Sequence, residues 1–570
     1  MEVRLRLLHA FLSRAAIGFA CGIACSLLVW PFAHAFAVWV PLIGGLAGMA
    51  YACGYQHNKG SALDDAFTSA ALAVPLWCML DVIVVPLAGG RSPEWTAAGM
   101  RGVFPALIGW VLFGIALGVS VHIAVGIAAR IRSGPSPEMP YSVEPKRVVI
   151  LGGGFAGMTT AAKLEELLGA DRSVEITLVS ETNALLFTPM LAEVAGSSIE
   201  PTHISSPLRT SLRRTRVVRA RVAAIETEEK RVILQAEDEA SEAPQLEYDH
   251  LVLALGSVSN FFGQENIRRV AMDFKSLPDA IRIRNRVIAA LERADREPDP
   301  AARRRLLTFV VAGGGFAGIE LAGALNDFAR GIIVDYTNLQ GDEIRVVVVH
   351  AGARILPELS ESLASYALAK MIDRGVEFKL AARVADASEN TVTLNPHETI
   401  EANTLVWTAG TTPNPLLATL DVARDKRGAV VVDACMAVPS QGGLWALGDC
   451  AVIPNLNTGG TFPPTAQHAL REAATLAYNV RASLRGESLQ RFSFEALGAL
   501  CVVGYQTACA ELREPLTGRK FHFSGFFAWL MWRAIYLGKL PGFERKVRVF
   551  VDWVIELYFP RDTVQTLELS

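Results

Sequence analysis

Four long apolar runs dominate the first part of the chain, at about 12–32, 36–55, 66–89 and 104–129. Each is close to the roughly 20 helical residues that cross a bilayer's hydrocarbon, so the pattern predicts a four-helix transmembrane domain over residues 1–132. The first run lacks the clear short apolar core and cleavage site of a removable signal peptide, and three more runs follow it. Four spans return the chain to its starting side. Arg4, Arg6, Arg14, Lys59, Arg130 and Arg132 then share one side and only Arg91 and Arg101 the other. The excess of Lys and Arg in cytoplasmic loops places both ends in the cytoplasm. Asp81 lies inside the third run, where a charge is costly and marks a functional site by default. A hydrogen-bonded acid that holds helices together is favoured there over a proton or quinone role. His34 sits just past the outer end of the first run and His122 in the inner part of the fourth, so a shared haem is not expected.

Residues 133–145, rich in Pro, Ser, Gly and Glu, read as a linker. Beyond them the period changes. Val148 to Leu151 form a short apolar strand, a helical composition begins at Met158, and Gly152, Gly153, Gly154 and Gly157 occupy the turn between them. In such a turn the first glycine permits the bend, the next lets backbone approach a pyrophosphate, and the last lets helix and strand pack closely. One such motif is weak evidence, but a near copy stands at Thr308–Leu325, with Gly313, Gly315 and Gly318. Two turns imply two bound dinucleotides.

After the first turn a second strand ends at Ser180-Glu181, and one of these two accepts the hydrogen bonds of a ribose. The corresponding strand after the second turn ends at His350, with Arg354 close behind, so no acid stands where one would select for a free 2′-hydroxyl. The arginine-rich stretch Arg209–Arg221 alternates with valines and reads as a strand with one solvated face. Further apolar strands end in Gly-containing turns at Gly256, Gly410 and Gly448-Asp449. Phe462–Val480 is two prolines followed by a helix whose start, Ala466-Gln467, faces a ligand's carbonyl edge in this reading. Near the end, Trp529, Trp532, Tyr536 and Trp553 fall on two consecutive helices. In the second of them Phe543, Val547, Phe550, Val554 and Leu557 recur at spacings of three and four, as expected of helices lying in the headgroup region.

Composition adds little. The 570 residues exceed one core, hydrophobic residues make up 51%, and a net charge of −3 gives no support for nucleic-acid binding. None of the eight cysteines forms a CxxC pair and no metal-ligand cluster is visible, so neither a disulfide framework nor a metal site is expected.

Together these segments resemble the type II NADH:quinone oxidoreductases. The resemblance covers about Lys146–Asp562 and rests on GGGFAG (152–157), LLFTPMLAEVA (185–195), LALGSVSNFFG (253–263), GGGFAGIELAG (313–323), VWTAG (406–410), ALGDCA (446–451), PPTAQHA (463–469) and the Trp-rich terminal helices. It implies an α/β fold of two Rossmann-like domains: an FAD-binding domain over 146–270 and 402–490, and an NAD(P)H-binding domain over 271–401. A C-terminal quinone-side, membrane-associated domain over 491–570 completes it.

FAD is then expected at Gly152, Gly154, Phe155, Gly157, Ser180 or Glu181, Gly448, Asp449 and Ala466. NADH is expected at Gly313, Gly315, Gly318, His350 and Gly410, with NADPH left open. Glu320 matches the family's glutamate after the second turn and Gln467 its glutamine near the quinone, and both are the catalytic candidates. The family's second glutamine is replaced by Arg471, and Arg471 or Glu472 is expected to alter quinone preference.

The resemblance implies hydride transfer from NADH to FAD and two-electron reduction of a membrane quinone, without proton pumping. The expected setting is a bacterial inner (plasma) membrane, crossed several times, with the catalytic domains in the cytoplasm. A homodimer joined by the C-terminal helices is left open. A sulfide:quinone oxidoreductase would need cysteines near the flavin, and Lys146–Val432 contains none. A flavoprotein redox sensor or assembly factor whose membrane domain does the work is the alternative of a different class.

Overall fold

A computed structural model describes residues 2–29, 39–54, 62–92, 97–132, 145–169, 171–236, 243–395, 398–514 and 518–565. His34, Lys59 and linker residues 133–144 lie outside the described residues. The chain folds as two compact units, Met1–Tyr141 with Ala534–Val547, and Ser142–Arg533 with Arg548–Ser570.

The first unit is helical. Two of its helical stretches, Ala62–Ala88 and Gly102–Ala128, are long and apolar enough to cross a membrane, while Leu12–Ser26 and Val40–Cys53 are apolar but shorter. Small residues let these helices approach closely. A Cβ at Gly22 would lie 2.0 Å from the Gly44 carbonyl oxygen, and one at Gly118 would lie 2.2 Å from that of Asp65. Asp81 stands in a π-helical stretch, Cys78–Val84, and accepts a hydrogen bond from Trp110 Nε1 at 2.7 Å. His122 pairs with buried Asp65, at 2.6 Å. The apolar runs had excluded Asp65, which sits one residue before the third. Lys546, 4% exposed, donates to Thr68 Oγ1 at 3.2 Å in the same unit.

The second unit contains two five-stranded parallel sheets. In the first the strand order is Leu444–Ala446, His250–Leu253, Lys146–Leu151, Val174–Ser180, Arg216–Arg219. In the second it is Met272–Asp273, Thr404–Trp407, Thr308–Ala312, Arg345–His350, Val376–Leu380. Central strands in both are buried on both faces, which is why they read as unbroken apolar runs.

This topology corrects one expected boundary. The return to the first domain at 402 is too early, because Thr404–Trp407 pairs with Phe309–Ala312 in the second sheet. The chain rejoins the first sheet only at Leu444, which pairs with Leu251. A three-stranded antiparallel sheet, Gly498–Val502, Ala508–Arg513 and Lys520–Ser524, precedes the helices Gly525–Lys539 and Phe543–Tyr558.

Within this unit the last helix turns its polar face inward. His203 pairs with Asp552 at 2.6 Å, Ser198 donates to Glu556 at 2.8 Å, and Trp553 is buried. Phe526, Phe527, Leu530, Phe550, Val551, Val554, Ile555, Leu557 and Phe559 are left exposed.

Candidate functional site

Both glycine turns stand at the carboxyl ends of parallel strands, where open α/β sheets bind ligands. Gly152 has φ +111°, and a Cβ there would lie 2.1 Å from the Ala254 carbonyl oxygen. A Cβ at Gly157 would lie 1.9 Å from the Gly152 oxygen, so the helix Phe155–Leu168 seats directly on the turn. Gly154 caps that helix without any side-chain hydrogen bond, and a Cβ on it would meet nothing within 4 Å. Free helix N–H groups therefore face open space, the cradle a pyrophosphate requires.

The second turn repeats these features. Gly313 has φ +127°, Gly318 would press a Cβ to 2.0 Å from the Gly313 oxygen, and Gly315 is open. The residues fit two dinucleotides.

Around the first turn, Ser180 is buried and Glu181 is exposed, 3.4 Å from Arg221. Asp449 accepts from Ser257 at 2.7 Å, and half-buried Lys275 donates to the same hydroxyl at 2.9 Å. Burial lowers the Lys275 pKa, opposed by Asp449 and Asp273. Phe155 meets Phe187 edge-on, 5.8 Å between centroids.

Around the second turn, His350 Nδ1 accepts the Gly314 N–H at 3.1 Å. Burial lowers the imidazole's pKa, so the ring is neutral at pH 7 with its proton on Nε2. Arg354 is turned back on the Pro357 carbonyl. Gly410 accepts from Asn260 N at 3.0 Å.

Glu320, on the helix Phe316–Ile332, accepts from Val502 N at 3.3 Å. It lines a cavity of about 320 Å³ together with Glu193, Asp327, Arg533, Glu556 and Arg561. Burial pushes Glu320 up to about 8, with the Val502 hydrogen bond pulling the other way and Glu193 adding to the rise. Burial also raises Asp327.

A pyridine nucleotide-disulphide oxidoreductase model matches residues 146–473, and an NDH2 C-terminal domain model matches 497–562. The type II NADH:quinone oxidoreductase Ndh of Mycobacterium tuberculosis is 31% identical over 438 residues, covering 74% of this chain and 90% of the relative. The chain belongs to the type II NADH:quinone oxidoreductase family. A probable NADH dehydrogenase of Dictyostelium discoideum is 30% identical, with 74% and 91% covered. In fold, the chain is similar to NDH2 from Plasmodium falciparum solved in complex with NADH, at TM-score 0.66 and 18% identity, over 74% of this chain and 99% of that one.

The two catalytic candidates both grip one strand. Glu320 holds its Val502 end, whereas Gln467 accepts from Leu497 N at 2.9 Å and donates to the Gly498 carbonyl at 3.5 Å. Gln467 is not among the residues lining the cavity. Ala466 opens the helix Ala466–Leu484, capped by Thr465. Glu472 is buried and accepts the N–H of Gly448, in the turn after the strand Leu444–Ala446, at 2.8 Å. Arg471 lies over the Phe494 ring.

Sequence reading missed Glu193, Asp327, Arg533 and Glu556. The only signal was an acid inside the apolar stretch LLFTPMLAEVA. It also missed that Cys501 and Cys509 stand directly opposite each other in neighbouring strands. Both are free thiols, and burial raises both pKa values, so they pack as protonated, small apolar groups.

Proposed function

We propose that this protein oxidises NADH and reduces a membrane quinone, with FAD held at the first glycine turn and NADH at the second. The observation that carries the reading is the helix Phe316–Ile332. Its first turn faces the NADH cradle, and one turn on its Glu320 reaches the C-terminal sheet and its cavity. One element thus joins the nucleotide side to the quinone side.

FAD supplies the chemistry when bound, accepting two electrons with a hydride and releasing them to quinone. The chain's residues position and exclude. Gly152, Gly154 and Gly157 shape the pyrophosphate cradle, and Phe155 opens its helix. Glu181, whose carboxylate is exposed, takes the ribose hydroxyls while buried Ser180 packs beneath Gly153. Gly448, Asp449 and Ala466 complete the flavin site, with Asp449 oriented by Ser257. Gly313, Gly315, Gly318, His350 and Gly410 hold NADH. Gln467 fixes the strand whose other end Glu320 reads, and Glu320 supplies a proton to the quinone oxygen.

The two long apolar helices, the two shorter ones and the exposed aromatic and aliphatic face of Phe543–Tyr558 support a membrane-bound protein. We read the four helices as spans with the dinucleotide domains on the cytoplasmic side, on the strength of the Lys and Arg distribution.

Purified protein should oxidise NADH only when a short-chain ubiquinone or menaquinone analogue is added. NADPH should be poorer by about tenfold in kcat/KM, because neutral His350 and the turned-back Arg354 leave the 2′-phosphate uncompensated. Quinone-independent oxidation, or equal use of NADPH, would contradict this.

A further inference from the structure

Quinone reduction to quinol takes two electrons and two protons. A hydride equivalent supplies the electrons and one proton, and the second proton must come from the protein. Glu320 is half-buried on the cavity wall, and once it has given up its proton a poorly solvated carboxylate remains that has to be recharged before the next turnover. The cavity beside it holds the means.

Glu193 lines the same cavity with its side chain 14% exposed. Trp553 Nε1 donates to its Oε2 at 3.2 Å, and Arg533 approaches its Oε1 at 3.9 Å. Arg533 is held in place by Glu556 at 2.7 Å and lies 4.0 Å and 4.7 Å from the ring centroids of Trp529 and Trp553. Arg561 holds the other oxygen of Glu556 at 3.0 Å. The titratable and charged groups around Glu193 in this cavity are Glu320 and Asp327 from one helix, Arg533 from a second, Glu556 from a third, Tyr505 from the C-terminal sheet's first turn and Arg561 from the tail.

The two glutamates on the C-terminal side are driven apart. Burial opposes ionisation of Glu556, but Arg561 and Arg533 overcome it and hold the carboxyl below its ordinary range. Burial raises Glu193 to about 7, with Glu556 adding to the rise and Arg533, the Trp553 hydrogen bond and Arg561 opposing it, and this leaves it below Glu320. A proton moving from Glu193 to Glu320 thus moves towards the more basic group.

We propose that Glu193 is a second protonatable residue of the quinone half-reaction, recharging Glu320 across the cavity the two share. The O–H bond of Glu320 breaks as the quinol O–H forms. The Glu193 proton then passes to the Glu320 carboxylate, and Glu193 is reprotonated from bulk water, which accounts for the one proton consumed with each NADH and quinone. The inference rests on the NADH:quinone reading.

The test separates the half-reactions. In Glu193→Gln, with FAD content and melting temperature matching the parent, NADH should bleach the flavin at an unchanged rate. Reoxidation by a short-chain quinone under repeated turnover should slow at least tenfold, within the range for general acid–base groups. Its decline with pH, beginning near 7 in the parent, should begin only near 8. Infrared difference spectra across pH 6–8 should lose one carboxyl C=O band in the variant, a readout independent of turnover. Glu193→Asp should recover part of the rate and the lower inflection, and it serves if the glutamine variant does not fold.

Unchanged reoxidation, or slowing with an unchanged pH profile and an unchanged carboxyl band, would overturn the assignment. Failure of NADH to bleach the parent's flavin would overturn the underlying reading, and the assignment with it.

Discussion

Replacing Gly157 with valine should empty the protein of flavin. Even a single Cβ at this position would sit 1.9 Å from the Gly152 carbonyl oxygen and 3.3 Å from Ala254 Cβ. The obstruction on one side is backbone whose own φ of +111° only glycine adopts readily, so neither partner can yield without breaking the turn. The helix Phe155–Leu168 would have to lift from the strand Lys146–Leu151, carrying its free N–H groups away from the pyrophosphate. Flavin absorbance per protein should fall by about tenfold or more, equivalent to at least ~1.4 kcal/mol of lost FAD affinity. Gly154→Ala is the companion variant. Its Cβ meets nothing in the protein within 4 Å, so the melting temperature of the flavin-free protein should not change. Weakened FAD binding there would report the ligand's own close approach.

The second large effect is expected at Glu320. Glu320→Gln keeps the shape and the acceptor for the Val502 N–H but removes the proton. NADH should still bleach the flavin within about twofold of the parent rate, while reoxidation by quinone should slow by about a hundredfold, the scale of a lost general acid. The sign with pH follows from burial. Glu320 titrates near 8, so it carries its proton below that value and loses it as the pH rises through it. The Glu320 donor fraction in the parent should fall about tenfold for each pH unit above 8, beyond the decline that Glu193 begins near 7, and this upper limb should vanish in the glutamine variant. Stopped-flow absorbance of the flavin from pH 6 to 9.5 measures both.

What was legible in the sequence was what is local. The two glycine turns require particular residues within six positions of one another, and the structure places both at strand ends. The strand Thr404–Trp407 was seen as a strand, but an apolar run says nothing about which of two sheets will take it. It went to the second, which moved the domain boundary. Helix Phe543–Tyr558 was legible as amphipathic, yet its period does not reveal that Asp552 and Glu556 point inward to His203 and Ser198.

The acid–arginine cavity was invisible for a similar reason. Glu193, Glu320, Arg533 and Glu556 come from four separate elements, and only folding brings them to one wall. His350 shows a subtler limit. Its place at the strand end was read correctly, but its use of Nδ1 to receive the Gly314 N–H, which leaves the ring neutral, is a property of the packed turn.

The account's central claim, that two dinucleotide sites feed one quinone site, is tested most directly by anaerobic stopped-flow mixing of the detergent-purified protein. NADH is added first and a ubiquinone or menaquinone analogue second, with flavin absorbance followed throughout. The account predicts rapid bleaching by NADH and rapid, stoichiometric recovery on adding quinone. A flavin that is reduced but recovers no faster with quinone than without it would contradict the claim.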